Sequence, residues 1–154
     1  MINLENNFLE NNKFGYIEKI ITNHNFKFSI NHRSNILHFF HILIHDYKPV
    51  SNQANLLEPF KDKIKNKIIE SVLLFVPQTI KQEIIFQENL DILKDTMTGI
   101  YSLNQNNGYV KLTNVEPIQF DQNQMLSFNT NLKPKIYSST NNYQCFIQLE
   151  YDYN

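Results

Sequence analysis

The sequence predicts an α+β domain, three to four helices packed against a small, mainly antiparallel C-terminal sheet. Three observations predict it. Apolar residues recur at helical spacing up to about residue 103, and from about residue 108 they alternate with polar ones. Proline and asparagine clusters divide the last third into short runs of strand character. A chain of 154 residues, 42 % hydrophobic and 13 % aromatic, is long enough to bury one sizeable core without staples. The expected organisation is therefore a single domain over 1–154, helical over about 1–103 and strand-rich over about 108–154.

Taken in order, residues 2–22 place Ile2, Phe8, Leu9, Tyr16, Ile17, Ile20 and Ile21 at roughly helical spacing. They predict one helix broken near Gly15, where helix propensity falls. Residues 32–46 predict the clearest helix: Ile36, Phe40, Leu43 and Tyr47 form one stripe, with His38, His41 and His45 opposite. After the polar loop "YKPVSNQ", a second helix is expected over about 59–76, from Pro59 in its first turn to Pro77 at its end. Leu90, Leu93, Met97 and Ile100 keep a helical spacing before the "NQNNG" turn. "YQCFIQLEYDY" is the cleanest strand, with Cys145, Ile147, Leu149 and Tyr151 alternating against Gln144, Gln148, Glu150 and Asp152. That pattern predicts an antiparallel strand covered on one side only, with Cys145 a small core residue.

The stretch "RSNILHFFHILIHDYKP" holds the only arginine, Arg33, and three of the five histidines. His41 and His45 have the i, i+4 spacing of helical zinc pairs, but no HExxH glutamate, CxxC pair or second histidine cluster supplies further ligands. His38, His41 and His45 are thus metal candidates, but a solvated or partner-facing surface is preferred over a metal site. Arg33-x4-His38 resembles the Arg-x4-6-His element of HEPN ribonucleases, which implies an RNA-cleaving alternative with Arg33 and His38 as its catalytic pair. Ser34 stands where that family usually has a polar Asn, Asp or His, and those domains are all-helical.

At the end of the second expected helix, Ile68, Ser71, Val72 and Phe75 run into Val76-Pro77-Gln78-Thr79-Ile80, followed by "KQEIIF". This resembles the gp25-like family of contractile-tail baseplates, which includes the type VI secretion component TssE. There, a helix of similar spacing enters Glu-Pro-Arg and then a strand. The late "EPIQFD" at 116–121 is similar to a TssE-like tail, whereas Val76-Pro77-Gln78 replaces the family's Glu-Pro-Arg. The resemblance implies a small non-enzymatic subunit of a baseplate, acting by protein–protein interaction within a hetero-oligomeric assembly.

Composition narrows the rest. The formal net charge is −1, and no Lys/Arg-rich run marks a nucleic-acid footprint. No stretch approaches the length of an apolar membrane span, and one cysteine leaves nothing for an internal disulfide, so a cytoplasmic protein is expected. Twenty-three asparagines with a single alanine point to AT-rich coding, and the short asparagine runs fall where turns are wanted. The sequence contains no GxGxxG, P-loop, GxSxG or HExxH motif. The function expected is protein binding without cofactor. A cytosolic immunity or antitoxin protein is the alternative to the baseplate subunit, and Tyr151 and Tyr153 join the three histidines as partner-binding candidates.

Overall fold

The computed structural model describes residues 1–23, 26–31, 38–79, 83–84, 96–119 and 121–153. Strand β1 (Ile2–Glu5) is followed by helix α1 (Asn11–Asn23), then β2 (Ser29–Asn31), β3 (His38–His45) and β4 (Lys48–Pro49). A 3-10 segment, Asn52–Phe60, leads into β5 (Ile68–Val76), β6 (Glu83–Ile84), β7 (Thr96–Ser102), β8 (Tyr109–Lys111) and β9 (Ile118–Gln119). The chain closes with β10 (Gln124–Asn129), a 3-10 turn over Thr130–Leu132, β11 (Lys135–Tyr137) and β12 (Gln144–Asp152).

The strands form two sheets. The larger has the order β1-β10-β7-β12-β5-β3-β2, with β4 attached to β3, and the smaller has the order β6-β11-β8-β9. Their described pairings are antiparallel. From β5 onward the chain passes back and forth between the sheets, and one apolar cluster joins them, so these eight strands are a jelly roll. Leu74, Ile100, Phe128 and Phe146 of the large sheet meet Ile84, Val110 and Ile136 of the small one in that cluster. A second cluster covers the large sheet's other face: Leu73, Tyr101, Met125, Cys145 and Ile147 pack under α1, the 3-10 segment and the Phe8-Leu9 link.

The predicted fold class is therefore corrected, because most of the expected helices are strands. The helix expected over 32–46 is strand β3 from His38 to His45, residues 32–37 lying outside the described set. The one expected over 59–76 is the end of a 3-10 segment and then strand β5. Met97 and Ile100 lie in β7, while 90–95 are outside the described residues. The physical reason is burial on two faces. A strand covered on both sides reads as a continuous apolar run, and a run such as "IIESVLLFV" holds apolar residues at helical offsets as readily as at strand offsets. Its Ile and Val, like the aromatics of "HFFHILIH", are the residues that suit a pleated surface.

β12 shows the same effect. The expectation that only one of its sides is covered is corrected, because Phe146 and Glu150 are as buried as Cys145, Ile147 and Leu149 on the opposite face. Of the helix expected over 2–22, Ile2–Glu5 is strand β1 and only α1 is helical, burying Ile17 and Ile20 with Phe14 and Ile21 beside them. It runs unbroken through Gly15, and the interruption lies earlier, where Asn7 takes a left-handed φ of 47°. Asn123 ties that earlier segment to the sheet. Its Oδ1 accepts from the Leu9 N–H at 3.0 Å and its Nδ2 donates to the Leu9 carbonyl at 2.8 Å. No described helix is long and apolar enough to cross a membrane.

Candidate functional site

Side chains alternate across a strand, so register decides which residues share the face turned toward the small sheet. On that face Val72, Leu74 and Val76 of β5, Ile100 of β7 and Phe146 of β12 belong to the inter-sheet cluster. At one end the apolar row gives way to a polar one. Glu70 of β5 stands opposite Glu150 of β12, and Glu150 stands opposite Thr98 of β7. His45 closes the row at the end of β3.

Each carboxylate has its own partners. Directly opposed like charges destabilise a sheet, so separate donors are needed. Glu70 accepts from the Asp46 backbone N–H at 3.2 Å, and its Oε1 is 2.9 Å from His45 Nδ1. The turn makes this possible: Asp46 and Tyr47, with φ of 48° and 62°, join β3 to β4 as a two-residue hairpin loop of the type I′ kind. Tyr47 is anchored by donating its N–H to the Ile69 carbonyl at 3.0 Å. Glu150 accepts from the Thr96 hydroxyl at 2.8 Å, and Thr130 Oγ1 lies 2.9 Å from both Thr96 Oγ1 and Thr98 Oγ1.

Burial deepens along the row. The His45 side chain is 66 % exposed and that of Glu70 21 %, whereas Glu150 as a residue is 5 % exposed. Beside them Ile42 is exposed and Val72 and Gln148 are half-buried, so the inner face of the large sheet is partly open here. The arrangement offers a solvent-facing imidazole, two carboxylates and three hydroxyls along one edge of the jelly-roll interior.

The three predicted histidines do not share one outward face, because they lie on a strand and its turn. His38 is 1 % exposed and lies on the side of Phe40, which packs on the inter-sheet cluster. His41 faces the other way, with Nδ1 3.0 Å from the Lys27 carbonyl and Nε2 2.7 Å from Ser51 Oγ, its ring edge-on to Phe26. His45 alone reaches the polar row. Tyr151 is half-buried against the helix-side cluster, Tyr153 is exposed beyond β12, and Arg33 lies outside the described residues. Sequence reasoning missed Glu70, Glu150, Thr96 and Thr98 as a group. Only strand register brings them together, and the available signal was the alternation of Thr96, Thr98 and Ile100.

No protein-family model matches the sequence, and no curated protein matches it. Solved structures match its fold over nearly the whole chain. An oxidoreductase of the 2OG-Fe(II) oxygenase family from Burkholderia pseudomallei aligns with a TM-score of 0.69 at 9 % identity, covering 98 % of this chain and 84 % of that one. A prolyl-4-hydroxylase from Pseudomonas putida aligns at 0.65 and 9 % identity, covering 99 % and 92 %. A prolyl hydroxylase from Trichoplax adhaerens, in complex with a hypoxia inducible factor peptide fragment, aligns at 0.65 and 12 % identity, covering 98 % and 83 %. The chain has the fold of these oxygenases.

This finding overturns the gp25-like resemblance and the baseplate function it implied. The oxygenase-like jelly roll also leaves the immunity and HEPN ribonuclease alternatives without support. The expectation of a non-enzymatic protein is corrected with them, since the structures that share the fold are enzymes.

Iron and 2-oxoglutarate are the groups this fold family implies, and non-haem iron of this kind is held by two imidazoles and a carboxylate. The described residues do not fit that set. Among them no group of three or more His, Cys, Asp or Glu converges on a point that could hold a metal.

Proposed function

We propose that this protein takes a substrate at the open end of its jelly roll and that His45, Glu70, Glu150 and Thr98 are the groups that meet it. The observation that carries this reading is the polar row itself, an ordered line of acceptors at one end of the inner face. Carboxylates and hydroxyls in such a line suit a substrate that brings hydrogen-bond donors or positive charge, because an ionised acid accepts strongly from a cationic donor. A peptide segment carrying lysine or arginine has that chemistry, and the Trichoplax enzyme of the same fold is itself in complex with a peptide.

The row also has the equipment to move a proton. An imidazole bonded to a carboxylate at the solvent edge is a general acid or base in waiting, and Glu150 is a second acceptor on the neighbouring strand. A reducing, cytoplasmic setting is part of the proposal, supported by the single buried cysteine, Cys145.

The test is an NMR titration of the whole chain with a short lysine- and arginine-containing peptide and with its glutamate-substituted counterpart. The basic peptide is expected to shift the amide signals of Thr98, Glu150 and Glu70, and Glu150→Gln is expected to weaken that binding. Equal responses to both peptides, or shifts confined to another surface, would refute the proposal.

A further inference from the structure

We infer that this chain does not assemble an iron and 2-oxoglutarate centre between its sheets, and that apolar side chains fill the space where its two described sheets meet. The inference rests on the fold and on where the imidazoles lie, not on the polar row, so a failed peptide titration leaves it standing.

The first observation is the distribution of histidine. All five histidines lie between residues 24 and 45, before the jelly roll begins at β5, so none of its eight strands carries an imidazole. Glu88, Asp91 and Asp95, outside the described residues, are carboxylates and add none. A centre built from two imidazoles and a carboxylate would have to take both imidazoles from the segment preceding the jelly roll. Of the three described there, His41 has both ring nitrogens at hydrogen-bond distance from Ser51 and Lys27, on the side away from the small sheet. His45 is held on Glu70 at the rim, and His38 is the one described imidazole turned toward the interior.

The second observation is what fills the interior. Ile100, Leu126, Phe128, Val110 and Ile136 are each at most 1 % exposed and belong to one contiguous cluster between the sheets. A divalent ion needs oxygen, nitrogen or sulfur donors, and these side chains present only carbon. An ion placed among them would lose its water and gain nothing in return, which is why buried charges occur paired or coordinated. These side chains are occupied in holding the two sheets together.

The test uses the whole chain with Ile, Leu and Val methyl groups labelled for NMR, titrated with Mn(II) in the presence of 2-oxoglutarate. Mn(II) is paramagnetic and erases the signals of methyl groups near it. The methyl signals of Ile100, Val110 and Ile136 are expected to persist at one equivalent, and the Tm is expected to stay unchanged. Broadening confined to groups near His45 would mark an ion at the rim and supports the inference. Loss of the three interior signals at one equivalent, with a rise in Tm when both ligands are present, would overturn it.

Discussion

Replacing Phe146 by alanine tests whether β12 is buried on both sides. Phe146 is 1 % exposed and packs in the inter-sheet cluster, while its neighbour Ile147, at 0 %, packs on the opposite face under α1 and the 3-10 segment. Removing a buried phenylalanine side chain costs its transfer free energy plus a cavity term, about 3–5 kcal/mol, and Ile147→Ala costs about 2–5 kcal/mol. For a chain of this length each kcal/mol lowers Tm by about 2–4 °C, so Phe146→Ala should lower it by about 6–20 °C. The assay is urea unfolding followed by far-UV circular dichroism, where both variants should shift the midpoint while the slope stays that of the wild type. On a strand covered on one side only, Phe146 would face solvent and its loss would stay within about 0.5 kcal/mol. A near-neutral Phe146→Ala beside a costly Ile147→Ala would therefore refute the two-sheet packing.

Asn123 is expected to be among the most sensitive polar positions, since its Oδ1 accepts from both the Tyr101 hydroxyl at 2.7 Å and the Leu9 N–H while its backbone holds a φ of 59°. Asn123→Ala should cost about 2–4 kcal/mol in the same unfolding assay, from unsatisfied buried groups and left-handed strain, and Asn123→Gly should recover about 1 kcal/mol of it. At Gly108 an added Cβ would collide with the Gln144 amide and stand 2.9 Å from Asn106 Oδ1. Gly108→Ala should therefore destabilise by about 1–3 kcal/mol, and the two changes should be less than additive when combined with Gln144→Ala. Burial pushes the Cys145 thiol from an ordinary 9.0 up to about 12. Because the folded state holds that proton more tightly, its contribution to stability is complete below pH 9 and is lost as the pH rises toward 12. A thiol reagent at pH 8 should leave Cys145 unmodified until denaturant is added, and prompt labelling of the folded protein would contradict its placement. Burial likewise holds Tyr101 protonated well beyond the usual tyrosine range, so one tyrosine should remain unionised in an ultraviolet titration until the protein unfolds.

How much of this was legible in the sequence differs from element to element. The spacing of Ile17, Ile20 and Ile21 marks a helix correctly because α1 lies on a surface, with one face on the core and the other in water. "NQNNG" and "SSTNNY" mark loops correctly because asparagine and serine satisfy turn backbones locally: Asn107 Oδ1, for example, accepts from the Thr140 N–H at 2.8 Å. The same local reasoning fails for β5, whose two covered faces leave no polar face from which to read a period, and for β3, whose apolar run continues onto the partly open inner face at Ile42. It fails again at the site, where Glu70 and Glu150 are far apart in the chain and become neighbours through the pairing of β5 with β12.

By itself the sequence determined the things that depend on composition or on a few adjacent residues. These are enough apolar area for one core, the surface helix, the polar turns, and a chain whose imidazoles all precede residue 46. The tertiary structure alone decided that the apolar runs are strands, that two sheets enclose one of the cores, and that His45, two glutamates and a row of threonines share an edge. Strand pairing is a long-range choice, fixed by which faces can be buried together, and no local window of residues contains that information.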